Sequence, residues 1–155
     1  DGNAVIPKNV DVFGAALQSN LYDWKKGVFV LKFDGDVTSV GYQAFQTSLS
    51  DTNTTLRQLR LAMLPNSVTS LGDGAFRSTT IVNIRLSENL ISIGKLAFNN
   101  CHQLIDITIP ESVTTIGKDA FSYCGKLQKF YGKFASKDGR CLIIDGVLTH
   151  SLLQD

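Results

Sequence analysis

Ser112-Val113-Thr114-Thr115-Ile116-Gly117-Lys118-Asp119-Ala120-Phe121-Ser122-Tyr123-Cys124 carries a pattern that recurs three times earlier in the chain. A valine or leucine is followed by an aliphatic-Gly pair and then by Ala-Phe, and the same order fills residues 37–48, 68–79 and 90–101. In every copy the glycine stands four residues before the phenylalanine: Gly41/Phe45, Gly72/Phe76, Gly94/Phe98 and Gly117/Phe121. Self-similarity at a fixed period marks a repeat architecture, in which each unit buries its apolar side against its neighbours.

From glycine to glycine the intervals are 31, 22 and 23 residues, so the pitch is close to 23 and the first interval carries about eight extra residues. Those extra residues, 48–55, are polar and lack a core-building pattern, which reads as a surface loop. Asn53-Thr54-Thr55 within them fits the N-glycosylation acceptor pattern. In the last complete unit Leu104, Ile107 and Ile109 precede Pro110, and Val113 and Ile116 precede Gly117. Ile107-Thr108-Ile109 alternates in, out, in, as a strand does, and Pro110 ends it because proline cannot donate to a ladder; Pro65 does the same after Leu64. Residues 118–123 are too few for an independent helix and read as a single helical turn held by burial of Phe121.

The recurring glycine meets a requirement for either an unusual backbone conformation or close approach of a neighbouring coil. Three residues after each phenylalanine, Ser48, Thr79, Cys101 and Cys124 occupy one slot, and all are small. Cys101 and Cys124, one pitch apart, would stack near bridging distance, yet the Ser and Thr equivalents show that the slot does not depend on sulfur. They read as free, buried thiols, and with Cys141 they form neither a disulfide framework nor a metal set.

Residues 1–36 lack the repeat. Val10, Phe13, Ala16, Leu17 and Leu21 recur near helical spacing, interrupted by Gly14, and suggest a short helix or a turn-rich segment. Residues 28–33 are β-branched and aromatic, follow Trp24, and stop at Asp34-Gly35-Asp36, the signature of a strand and turn. Beyond residue 130 two Asp-Gly pairs appear, and the second, Asp145-Gly146, lies between Cys141-Leu142-Ile143-Ile144 and Val147-Leu148-Thr149, a strong hairpin signal. The expectation is one domain, 1–155: an N-terminal cap at 1–36, about four repeats at 37–130, and a hairpin cap or spacer at 131–155. Its fold class is an α/β repeat solenoid of short strands and single helical turns with β-rich caps.

With 15 basic and 14 acidic side chains the net charge is +1, so no global field favours nucleic acid or an anionic membrane. No apolar run approaches the roughly 20 residues of a spanning helix, and Asp1-Gly2-Asn3 lacks a signal-peptide start; direct membrane insertion is not expected. His102 and His150 are far apart, and adjacent Cys101 and His102 diverge, so no Cys/His nucleophile pair is indicated. Asp34 and Asp36 lack the further ligands of a calcium loop, and no phosphate-cradling glycines or metal spacing occur. The chain is not read as an enzyme, and no cofactor or metal is expected.

Binding has a geometric candidate. If Ile107 and Ile109 face inward, Asp106 and Thr108 face outward, with Lys129 and Tyr131 one pitch on, and Asn83, Arg85, Leu61 and Met63 earlier. Stacked coils would set these side by side, roughly 5 Å per step. Met63, Arg85, Thr108 and Tyr131, flanked by Asn83, Asp106 and Lys129, make the expected ligand-facing stripe, with Arg and Tyr favoured at binding hot spots. The competing reading is an ordinary solvated sheet face. A second outward row, Thr38, Thr69, Ile91 and Thr114, suits exposed strands on propensity alone. A third candidate is the basic cluster Lys126, Lys129, Lys133, Lys137 and Arg140, opposed by Asp138.

The run Ile-x-Ile-Pro-x-Ser-Val-Thr-x-Ile-Gly-x-x-Ala-Phe-x-x-Cys over residues 107–124 resembles the BspA-like leucine-rich repeats of Bacteroides-type surface proteins. The likeness extends from about residue 37 to 130, with weaker agreement in both flanks. Ser48 and Thr79 stand where that family favours Cys, and the second interval is one residue short. The resemblance implies a leucine-rich-repeat solenoid, an extracellular or cell-surface location, and a non-catalytic role within a longer chain. It also implies a protein or glycan partner such as host matrix or another cell; a structural spacer within a larger surface protein is the alternative.

Overall fold

The computed structural model describes residues 7, 12–23, 25, 28–47 and 59–152. Trp24 and the 48–55 loop with its Asn53 pattern lie outside the described residues, as does Ser48. The elements are β1 (Leu17–Asp23), β2 (Val28–Phe33), β3 (Ser39–Val40), β4 (Leu61–Met63), β5 (Ser70–Leu71), β6 (Asn83–Arg85), β7 (Ser92–Ile93), β8 (Asp106–Ile109), β9 (Thr115–Ile116), β10 (Lys129–Gly132), β11 (Cys141–Ile144) and β12 (Val147–Ser151).

Each coil runs through one strand of a first parallel sheet, a corner, one strand of a second parallel sheet, the repeat glycine and a compact turn. The second sheet has the order β3-β5-β7-β9, in which Val40, Leu71, Ile93 and Ile116 share one register row. Four strands in line correspond to about three full turns of a solenoid. The first sheet pairs β4 with β6 and β8 with β10. Just before the strands, the Val82 N–H donates to the Arg60 carbonyl at 2.8 Å and Gln128 to Ile105 at 2.8 Å within the pairs, and the Ile105 N–H, donating to the Val82 carbonyl at 3.2 Å, joins one pair to the other.

The core is a column of repeated side chains. Phe45, Phe76, Phe98 and Phe121 stack face to face, with centroids 5.2, 5.4 and 5.4 Å apart in turn. Edge-on rings close the column: Phe13 on Phe45 at 5.7 Å, and Phe130 and His150 on Phe121 at 5.4 and 5.5 Å. Ala44, Ala75, Ala97 and Ala120 are fully buried beside it, as are Leu90, Leu104 and Val113. Close stacking of like side chains gives a solenoid its layered core in place of a spherical one.

The glycine is required by close approach. None of Gly41, Gly72, Gly94 and Gly117 has a positive φ. A Cβ on Gly72 would lie 2.6 Å from the Gly41 carbonyl carbon, one on Gly94 2.5 Å from that of Gly72, and one on Gly117 2.6 Å from that of Gly94. Gly72, Gly94 and Gly117 therefore each sit directly on the glycine of the preceding coil, and Gly41 on Val12.

The helical turns expected after the glycines are not helices, and no helix occurs among the described residues. The second residue after each glycine is left-handed: Gln43 at φ 52°, Gly74 at 64°, Leu96 at 58° and Asp119 at 57°. A right-handed helix needs φ near −63° at every residue, so one such residue breaks it. Alternate N–H groups then leave the turn and donate to the next coil, as Gly74 does to the Lys95 carbonyl (2.9 Å), Phe76 to Ala97 (2.8 Å) and Ser78 to Asn99 (2.8 Å). The turns thus bond between coils with groups that a helix would satisfy internally, and the fold is a β solenoid with turns.

The short helix or turn-rich segment expected near residues 10–21 is, among the described residues, a turn at 12–15 followed by β1, which pairs antiparallel with β2. The long-range ladder overrides the weak helical spacing, and Leu21 is exposed. The strand at 28–33 is present as β2. At the other end β11 and β12 form an antiparallel hairpin in which Asp145 and Gly146 take φ of 51° and 77°, the two positive values a type I′ turn needs. Asp138-Gly139 instead turns the chain back beneath β10, where the Phe130 N–H donates to the Gly139 carbonyl at 2.7 Å.

Candidate functional site: the outward face of the first sheet

Alternation along the strands places the predicted stripe. The register pairs Leu61 with Asn83 and Met63 with Arg85, then Asp106 with Lys129 and Thr108 with Tyr131. These residues share one sheet face, whereas Ile107, Ile109 and Phe130 on its other side are buried. Met63 is 65% exposed, Leu61 51% and Tyr131 46%, so the two outermost strands, β4 and β10, both present large apolar side chains to solvent. Asn83, Arg85, Thr108 and Lys129 are exposed, and Asp106 is half buried. The face runs from an apolar end at Leu61 and Met63, through Arg85 and Thr108, to an aromatic and cationic end where the Lys129 ammonium lies 5.8 Å from the Tyr131 ring centroid. A cation near an aromatic face at an exposed site contributes about 0.5–1 kcal/mol and partly orders both side chains.

Within the basic cluster Lys129 and Lys137 line one pocket beside β10, while Lys126 and Lys133 are tied to other groups. Lys126 Nζ donates to Gln103 Oε1 at 2.8 Å, and Lys133 Nζ donates to the Glu111 carbonyl at 2.9 Å while lying 5.0 Å from the Phe134 ring. Asp138 accepts from Ser136 Oγ at 2.6 Å and from the Arg140 N–H at 3.0 Å; these bonds lower its carboxyl pKa. Its role is to shape the turn before β11. The second outward row is also built as a ladder: the Thr69 N–H donates to the Thr38 carbonyl at 2.9 Å, Ile91 to Thr69 and Thr114 to Ile91 both at 2.8 Å.

The slot after Phe76, Phe98 and Phe121 holds donors to carbonyls. Thr79 Oγ1 and Cys101 Sγ both donate to the Phe76 carbonyl, at 2.8 and 3.1 Å, and Cys124 Sγ donates to that of Phe98 at 3.1 Å. All three cysteines are free, and burial pushes the Cys101 thiol pKa well up, away from nucleophilic use. His102, beside buried Cys101, is exposed. Among the described residues no group of three or more His, Cys, Asp and Glu side chains is placed to hold a metal, and no helix is long and apolar enough to cross a membrane.

One residue escaped the sequence reading. His150 was weighed only for catalysis, yet it packs edge-on against Phe121, and neither ring nitrogen has a hydrogen-bond partner. Its place was encoded in the hairpin, where the register sets it opposite buried Leu142.

Stacked parallel strands, a glycine-on-glycine corner and an aliphatic and phenylalanine column define the class as a leucine-rich-repeat solenoid. The BspA-type leucine-rich repeat region model matches residues 15–137 in six copies, and the chain belongs to that family. The match passes beyond 37–130 on both sides, into the β1–β2 hairpin and past β10.

Three solved structures are similar. A leucine-rich repeat protein from Bacteroides capillosus is 32% identical, with TM-score 0.53 over 77% of this chain and 75% of that one. The leucine-rich repeat protein of T. pallidum is 26% identical, with TM-score 0.55 over 76% of this chain and 62% of that one. A leucine-rich cell surface protein from Faecalibacterium prausnitzii, at 23% identity and TM-score 0.52, shares the fold over 68% of this chain. This chain spans about a third of that protein's length (32%). No curated protein sequence matches significantly.

Proposed function

We propose that the chain is a non-catalytic binding module that recognises a protein or glycan through the outward face of the first sheet, at the cell surface or outside the cell, as part of a longer protein. Host matrix or another cell is the expected partner. The observation that carries this reading is the register Met63–Arg85 and Thr108–Tyr131, which lines up large exposed side chains on one rigid face. A solvated sheet face has no need of an exposed methionine and tyrosine, whereas both suit a desolvated contact. Membership of a repeat family with surface-protein relatives supports the location. The spacer reading is favoured only by the second face, whose threonines serve the ladder itself.

The test is a screen of the chain against matrix proteins and glycans, followed by the double variant Arg85→Ala/Tyr131→Ala. Loss of binding with an unchanged melting temperature is expected. Undiminished binding would remove the stripe from the account.

A further inference from the structure

The two sheets are out of step by one coil. The second sheet begins with β3, but the first sheet begins a coil later with β4, and β2, which precedes β3 in the chain, pairs with β1 instead. At the opposite end the outer edge of β10 is met by the Gly139 carbonyl, which accepts from Phe130. Among the described residues no strand meets the outer edge of β4. The Arg60 carbonyl and the Leu64 N–H both point to β6, so by alternation the N–H and C=O groups of Leu61 and Met63 point to the open side.

The side chains report the same vacancy. Ala62, Leu64 and Ile84 are only partly buried, whereas their counterparts in later coils, Leu86, Ile107, Ile109 and Phe130, are buried. One further strand laid on β4 would cover them. Native sheets guard open edges with lysine, proline or a bulge, and Leu61-Ala62-Met63 has none of these. The first two strands and their flanks, residues 59–64 and 81–86, contain Arg60 and Arg85 and no acid, so the step is cationic.

We infer that the open edge of β4 takes one extended segment of a protein partner, adding a strand to the first sheet. The segment alternates apolar side chains, which cover Ala62, Leu64 and Ile84, with at least one carboxylate set against Arg60 or Arg85. Main-chain bonds to Leu61 and Met63 supply the attachment, and the apolar positions and the charge supply selectivity. This edge contact is made through the main chain of β4 and shares only Met63 and Arg85 with the face contact proposed above.

The test selects ten-residue peptides from a phage-displayed library on the whole chain, resynthesises the strongest binder as the probe, and follows amide hydrogen exchange. Peptides with alternating apolar residues and an Asp or Glu are expected, with slowed exchange at Leu61 and Met63 in the complex. Met63→Pro, which removes an outward N–H without touching the β4–β6 ladder, should weaken the probe by at least about tenfold. Met63→Lys provides a second edge-blocking variant should the proline variant not fold. The proposal is overturned if both amides exchange at the same rate with saturating probe, if both are already protected in the free chain, or if no peptide is selected. Tyr131→Ala, three strands away on β10, reports on the face alone through the screened ligand, so the two readings fail separately.

Discussion

Phe76 and Phe98 lie one coil apart with their ring planes 2° from parallel and their centroids at 5.4 Å, and both are fully buried. The contact belongs to a column that runs the length of the repeat, so each ring is wall to two others. Phe98→Ala opens a hole between two coils that neighbours cannot close without breaking their own stacking. A loss of about 3–5 kcal/mol is expected in denaturant unfolding. A change within error would show that Phe98 is not a core rung.

Glycine positions separate into those another coil touches and those it does not. A Cβ on Gly94 would lie 2.5 Å from the Gly72 carbonyl carbon and 2.6 Å from the Asp73 nitrogen, both backbone atoms that cannot swing aside. Gly125 has nothing within 4 Å and no positive φ. Gly94→Ala should therefore cost about 1–3 kcal/mol, the usual range for overpacking, while Gly125→Ala should stay within about 0.5 kcal/mol of the parent. Thermal melts of the two variants side by side check this, and equal effects would refute the glycine-on-glycine contact.

His150 makes the C-terminal end sensitive to pH. Burial holds its imidazole pKa below the ordinary 6.5, with Asp119 opposing, because no partner compensates the charged form. With the folded value below the unfolded one, the unfolded chain takes the proton first as pH falls. The stability contributed by the docked hairpin is thus full above about 6.5 and is lost as pH drops through the folded value. An NMR titration of His150 should give a midpoint below 6.5, with the protection of β11 and β12 amides, relative to their intrinsic exchange rates at each pH, falling on acidification. A midpoint at or above 6.5 would contradict burial as the dominant influence on the His150 imidazole.

Much of this was readable in the residues because the chain states its pattern four times. The Gly and Phe columns, the outward rows and the Asp145-Gly146 hairpin follow from a fixed pitch, a side-chain period of two and a turn chemistry with few solutions. The turn after each glycine was misread as helical because only Gly74 advertises a left-handed residue, whereas Gln43, Leu96 and Asp119 take the same φ without a local signal. Inter-coil hydrogen bonds hold them there, and no single repeat contains those bonds. β1 was misread for a related reason, since its partner β2 decides its conformation. The outer edge of β4, which no strand meets among the described residues, was invisible in the same sense: it depends on which strands pair, a property of topology.

The central claim is that the repeated residues build the solenoid and the variable residues between them recognise a partner. Backbone amide shifts measured by NMR on adding a ligand found by the matrix and glycan screen test it most directly. Perturbations concentrated at Met63, Arg85, Thr108 and Tyr131 are predicted. Perturbations confined to the Thr38, Thr69, Ile91 and Thr114 row, with the first sheet unchanged, would contradict it.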